Sequence, residues 1–252
     1  RDAWKRKTRQ TVDHYQPAAA QPRRDVRLVV VSGGAVQAGA PRRDGLAPLG
    51  IGATSIALGT DGRTLLALDG RELTVLDPGG GVRLTRTVQI DSGIVAANRD
   101  GHSVLVVGPR GAEQLDLVTG RVEYFNYSAQ PQDVAPSYKH NHIFVGTPRG
   151  IDLLYLNLGG RRPYTIPLDG PAGAMSMNGS GTRIYTAIQG QAVVDVADTE
   201  QYAVVERIRI SGEARALAVA PSEDVLYVAT NDGVVAIDLA TKAVHASASF
   251  LG

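Results

Sequence analysis

The chain of 252 residues contains no cysteine, which excludes disulfides and thiolate metal sites. Aromatic residues make up only 5%, and Trp4 is the sole tryptophan, so a core has to be assembled from Val, Leu, Ile and Ala. No apolar run approaches the ~18 residues of a membrane-spanning helix, and no signal peptide is visible. The sequence opens on Arg1 rather than Met, which leaves room for a segment upstream. There is no Gly-x-Ser-x-Gly nucleophile elbow, no P-loop and no dinucleotide-binding glycine pattern in context, so neither a bound cofactor nor a serine-hydrolase triad is expected. Neither charge sign dominates: 26 Lys and Arg face 25 Asp and Glu, for a net of +1.

The charge is unevenly placed. Residues 1–27 carry eight Lys or Arg against Asp2, Asp13 and Asp25, a net of +5, which leaves −4 for the rest. Lys and Arg in such a segment keep an edge strand solvated and block edge-to-edge pairing. The same tail could instead meet an acidic membrane surface, nucleic acid or an acidic partner. The chain divides accordingly into a basic strand or tail over residues 1–13 and a second domain over 14–252.

What is abundant is a repeat. Apolar segments centred on Val29, Leu66, Leu105, Phe144, Tyr185 and Tyr227 recur at steps of 37, 39, 39, 41 and 42 residues. Before each comes a short apolar strand and a polar turn, such as Thr60-Asp61-Gly62 and Arg99-Asp100-Gly101, whose Asp-Gly supplies the positive φ of a tight hairpin. After each come a glycine-containing turn, a third strand and a more polar fourth strand. In the fourth strand Val204, Glu206 and Ile208 alternate with Val205, Arg207 and Arg209, as suits one wet face. A period near 40 in a strand-rich chain predicts an all-β fold, a β-propeller of four-stranded blades. Six repeats are visible. Lys7–Val12 also resembles a fourth strand, so the ring has six blades, or seven if the native chain extends upstream.

The third strand usually closes on aspartate: Asp77, Asp116, Asp195 and Asp238 stand 11, 11, 10 and 11 residues beyond their landmark residues. One carboxylate per blade is spread around a ring rather than gathered for a metal, and Asp readily accepts backbone N–H groups of a following turn. The best copy, Ala216–Val244, resembles the YVTN-type β-propeller repeat, with Ile94–Val122 and Ser55–Leu84 as looser copies. The resemblance implies surface-layer or secreted bacterial or archaeal propellers, binding modules and relatives of sugar lactonases, and with them an extracytoplasmic setting, periplasmic or at the cell surface. The Trp-Asp signature of WD40 repeats and the tryptophan-rich pattern of quinone-dependent propellers are missing.

Three features bear on function. Arg71, Arg110 and Arg149 each stand five residues after their landmark, so they fall at one turn position on three successive blades. Such a basic arc can grip carboxylate, phosphate or sulfate; Gly190 and Asp232 fill the slot in the last two copies. Asp91 and Glu213, each 14 residues before its landmark, are expected near the mouth of the central channel, where a lactonase would hold a cation, although Gly52 and Pro171 take this slot elsewhere. His140 and His142 have metal-ligand spacing but occupy a segment that reads as an exposed polar turn, so no metal site is expected. The sequence therefore favours a non-enzymatic binding or scaffold propeller for a protein or anionic polymer. A lactonase-type hydrolase and a structural subunit of a larger assembly, pairing through residues 1–13, are the alternatives.

Overall fold

The computed structural model describes residues 28–32, 35–39, 47–77, 80–137, 142–156 and 164–249. The basic segment 1–13 and His140 lie outside them. Every regular element among the described residues is a β-strand, and no helix is long and apolar enough to cross a membrane.

The chain forms two compact units, residues 1–51 and 52–252. In the first, β1 (Leu28–Ser32), β2 (Ala35–Gly39) and β3 (Ala47–Gly52) make a three-stranded sheet in sequence order. It is the degenerate first copy, with Val29 on β1 as its landmark. The second unit consists of five four-stranded sheets, each again in sequence order with antiparallel neighbours. Sheet I contains β4 (Ser55–Leu58), β5 (Leu65–Asp69), β6 (Glu72–Leu76) and β7 (Val82–Thr87). Sheet II contains β8 (Ile94–Ala97), β9 (Ser103–Gly108), β10 (Gly111–Asp116) and β11 (Val122–Phe125). Sheet III contains β12 (Asp133–Pro136), β13 (His142–Thr147), β14 (Gly150–Tyr155) and β15 (Tyr164–Ile166). Sheet IV contains β16 (Ala172–Met177), β17 (Arg183–Ile188), β18 (Val193–Asp198) and β19 (Ala203–Arg209). Sheet V contains β20 (Ala214–Val219), β21 (Val225–Thr230), β22 (Gly233–Asp238) and β23 (Val244–Ser249). The first strands β4, β8, β12, β16 and β20 lie side by side in that order. This is a propeller-like arrangement.

Packing explains the period. Four apolar clusters occupy the four junctions between successive sheets. The second strands are buried on both faces, most completely β9 and β13, so alternate residues serve opposite junctions. Leu66, Leu105, Phe144 and Tyr185 all face the sheet that follows. Tyr227 holds the same repeat position on sheet V but stands 46% exposed, because no further sheet of the second unit covers it.

Turns follow the sequence chemistry. Asp61 and Asp100 each accept backbone N–H groups two and three residues on, at 2.8–3.0 Å. At the third-strand ends, Asp116 Oδ1 accepts the N–H groups of Val118 and Thr119 at 2.8 Å, and Asp238 does the same for Ala240 and Thr241. The N–H of Thr119 above all holds the Asp116 carboxyl below the usual range. The turn after Asp77 includes residues outside those described. Asp195 departs from this reading. The hairpin between β17 and β18 spans residues 189–192, longer than the two-residue turns of the neighbouring sheets, so the capping position shifts to Asp198. Asp195 is an interior residue of β18, fully buried. His142 also departs from its expected place in an exposed turn. It begins β13, is 4% exposed, and sets its ring edgewise against Phe144 and Tyr155 at 5.3 and 5.4 Å.

One glycine position is sharply constrained. Gly150 has φ 138°, and a Cβ there would meet Ile166 O at 2.3 Å. Gly150→Ala therefore combines backbone strain with a clash against backbone. It is expected to cost about 2 kcal/mol or more, read as a lower urea midpoint with an unchanged slope.

Candidate functional site

One end of the five-sheet unit gathers the turns between second and third strands and the connectors that bring the chain into each new first strand. The structure places Arg71 in the β5–β6 turn, Arg110 in the β9–β10 turn and Arg149 in the β13–β14 turn, at equivalent positions of two-residue hairpins, all exposed. Each is held differently. Arg71 Nε donates to Val88 O at 2.9 Å, which ties its guanidinium to the connector beyond β7. The Arg110 carbonyl accepts the Tyr124 hydroxyl at 2.8 Å, which passes where a side chain on Gly111 would stand. The Arg149 charge reaches the buried Tyr127–Asp152 pair. Burial and the Asp152 carboxylate push the Tyr127 hydroxyl pKa up, while Arg149 pulls it down. Asp232 sits in the matching β21–β22 turn and Gly190 in the longer β17–β18 turn, so the basic stretch covers sheets I to III.

Asp91 and Glu213 lie on the connectors into β8 and β20. Asp91 is exposed and accepts the Ser92 hydroxyl at 3.2 Å. Glu213 accepts Gly190 N–H at 3.0 Å and pairs with Arg215 at 3.1 Å. Among the described residues, no three His, Asp or Glu side chains converge as metal ligands.

Between the first strands runs a cavity of about 840 Å³. Its wall comes mainly from β4, β8 and β12, with Ala174 and Arg215 from sheets IV and V; Ser92 and Arg215, neighbours of Asp91 and Glu213, line it. Side chains on one first strand satisfy backbone donors on the next. Val95 N–H bonds Ser55 Oγ at 3.0 Å, Met175 N–H bonds Asp133 Oδ2 at 2.6 Å, and Val219 N–H bonds Ser176 Oγ at 3.2 Å. Burial raises the Asp133 pKa, and the N–H groups of Met175 and Val134 only partly offset this.

Sequence reasoning missed a second set of residues at this end. Glu113, Asp152 and Asp195 pair with Val106, Val145 and Thr186, one position beyond the landmarks, and are 2%, 0% and 0% exposed. Each is tied, directly or through Arg207, to the connector arriving from the preceding sheet. Glu113 accepts Gln89 N–H at 2.6 Å, and Asp152 accepts the Tyr127 hydroxyl at 3.1 Å and the Thr165 hydroxyl at 2.5 Å. Asp195 takes both Nε and Nη2 of Arg207, at 2.6 and 3.0 Å, and Arg207 Nη1 reaches Asp169 at 2.7 Å. These bonds, and the pull of its two carboxylates on its proton, raise the Arg207 pKa. The carboxylates clasp sheet to sheet, and their ligands are all internal. A signal for two of them existed: Glu113 and Asp152 both stand eight residues after their landmarks.

Compared with known proteins, the chain matches no family model and no curated sequence.

Proposed function

We propose that the chain is a closed β-propeller of the YVTN type that works outside the cytoplasm by binding rather than catalysis, offering the end face of Arg71, Arg110 and Arg149 to a polyanionic partner. The observation that carries this reading is the placement of three exposed guanidinium groups at one turn position on three successive sheets. The clasped connectors hold those turns rigidly, so little order has to be gained on binding. Guanidinium groups match carboxylate, phosphate and sulfate oxygens two at a time. Closure of the ring would place a further sheet over the exposed Tyr227 face.

The test reverses the charge at all three turns, Arg71→Glu, Arg110→Glu and Arg149→Glu together, with polyphosphate and poly-glutamate as probes. Wild-type binding should weaken as salt rises. The triple variant should lose at least about tenfold in affinity, roughly 1.4 kcal/mol, while keeping the β-sheet circular dichroism of the wild type. Equal binding by wild type and variant would remove the arc from the account.

A further inference from the structure

The axial cavity combines features that the end-face reading does not use. Ile56 and Leu58 of β4 line it while remaining 36% and 56% exposed, although large aliphatic side chains elsewhere on the inner strands are mostly covered. Arg99, in the turn leaving β8, lines the same cavity near Thr60 and Pro136, at the end where β4 finishes with Leu58. Its guanidinium is half-buried; burial lowers its pKa to about 10, so it stays charged at neutral pH. Asp133, the one carboxylate among the described lining residues, accepts the N–H groups of Val134 and Met175. The wall therefore offers a cationic side chain beside uncovered aliphatic surface. A volume of about 840 Å³ falls within the range of sites that enclose small organic ligands.

We propose that this cavity binds an amphiphilic organic anion, with its acidic head on the Arg99 guanidinium and a short aliphatic body against Ile56 and Leu58. The head is a carboxylate or a phosphate monoester, both of which a guanidinium grips through paired N–H bonds. Water leaving Ile56 and Leu58 favours the body. The site is separate from the arginines of the end face and stands or falls independently of them.

Titration calorimetry on the full chain tests this with octanoate, octyl phosphate, neutral octanamide and inorganic phosphate. Octanoate, octyl phosphate or both should bind saturably at one site, the tighter one identifying the head. Octanamide, lacking the charge, and inorganic phosphate, lacking the body, should bind about tenfold more weakly or not at all. Arg99→Gln should weaken the charged probe about tenfold, and Leu58→Gln should weaken it several-fold. The variant reversed at Arg71, Arg110 and Arg149 should bind it as wild type does. Absence of binding by both octyl acids, inorganic phosphate binding as tightly as octyl phosphate, or an Arg99→Gln protein that binds unchanged would overturn the proposal. If Arg99→Gln loses the β-sheet circular dichroism of the wild type, Leu58→Gln decides, since its side chain is largely exposed; unchanged binding there overturns it.

Discussion

Arg207→Ala is expected to lower stability by about 3 kcal/mol, far more than loss of a surface arginine normally would. The cause lies on the partner. Asp195 is fully buried, and both its oxygens are engaged by Arg207 at 2.6 and 3.0 Å. Without the guanidinium, the carboxylate is left in a dry environment with its charge uncompensated. The third contact, to the exposed Asp169, adds little because solvent screens it. Urea unfolding measures the loss. Its mechanism is checked by the double variant Arg207→Leu with Asp195→Val, which should recover most of the stability. Sheet V already carries Val235 at the equivalent position of its third strand, paired with Val228, and well-packed apolar replacements of buried ion pairs are often neutral or better. A double variant as unstable as the single one would mean that the pair itself, rather than the orphaned charge, supplies the stability.

Phe144→Ala is expected to cost about 3–5 kcal/mol, roughly 10 °C in melting temperature for a chain of this size. The ring is fully buried in the cluster between sheets III and IV, against Ile151, Leu153, Met175 and Ile184 among others. Its removal leaves a void that rigid strands on both sides cannot close. The comparison that sharpens this is Tyr227→Ala. By repeat arithmetic the two residues are equivalent, yet Tyr227 stands 46% exposed, so its truncation is expected to cost under about 1 kcal/mol. Similar losses at the two sites would show that the Tyr227 face is covered in solution.

That contrast also marks how far the sequence could be read. The second strands were legible because burial on both faces writes a continuous apolar run, as in Val104-Leu105-Val106-Val107, and because Asp-Gly turns punctuate the copies. The positions of Arg71, Arg110 and Arg149 in matching turns followed from the same spacing. β12 carries the weakest signal of the first strands: Pro131, Asp133 and Pro136 interrupt its apolar pattern, and its pairing with β13 and the reach of Asp133 to Met175 on the next sheet hold it in place. The shift from Asp195 to Asp198 came from a longer hairpin, whose effect on register no local pattern reveals. Glu113 and Asp152 carried no reading in the sequence, and Asp195 read as the aspartate closing its strand. Their burial depends on connectors from a neighbouring sheet, a long-range fact. The cavity was hidden for the same reason, since Arg99 comes from a different copy than Ile56 and Leu58 and only the assembled first strands bring them to one wall.

The clasps carry a consequence for how such a chain can grow. In sheets II and III each unit brings a carboxylate for the connector behind it and a connector for the unit ahead. The two halves of these joints are thus encoded 24 and 25 residues apart, well within one repeat period. A copy inserted or lost between them leaves joints of the same kind on either side, so the number of units can drift while the mode of attachment stays fixed.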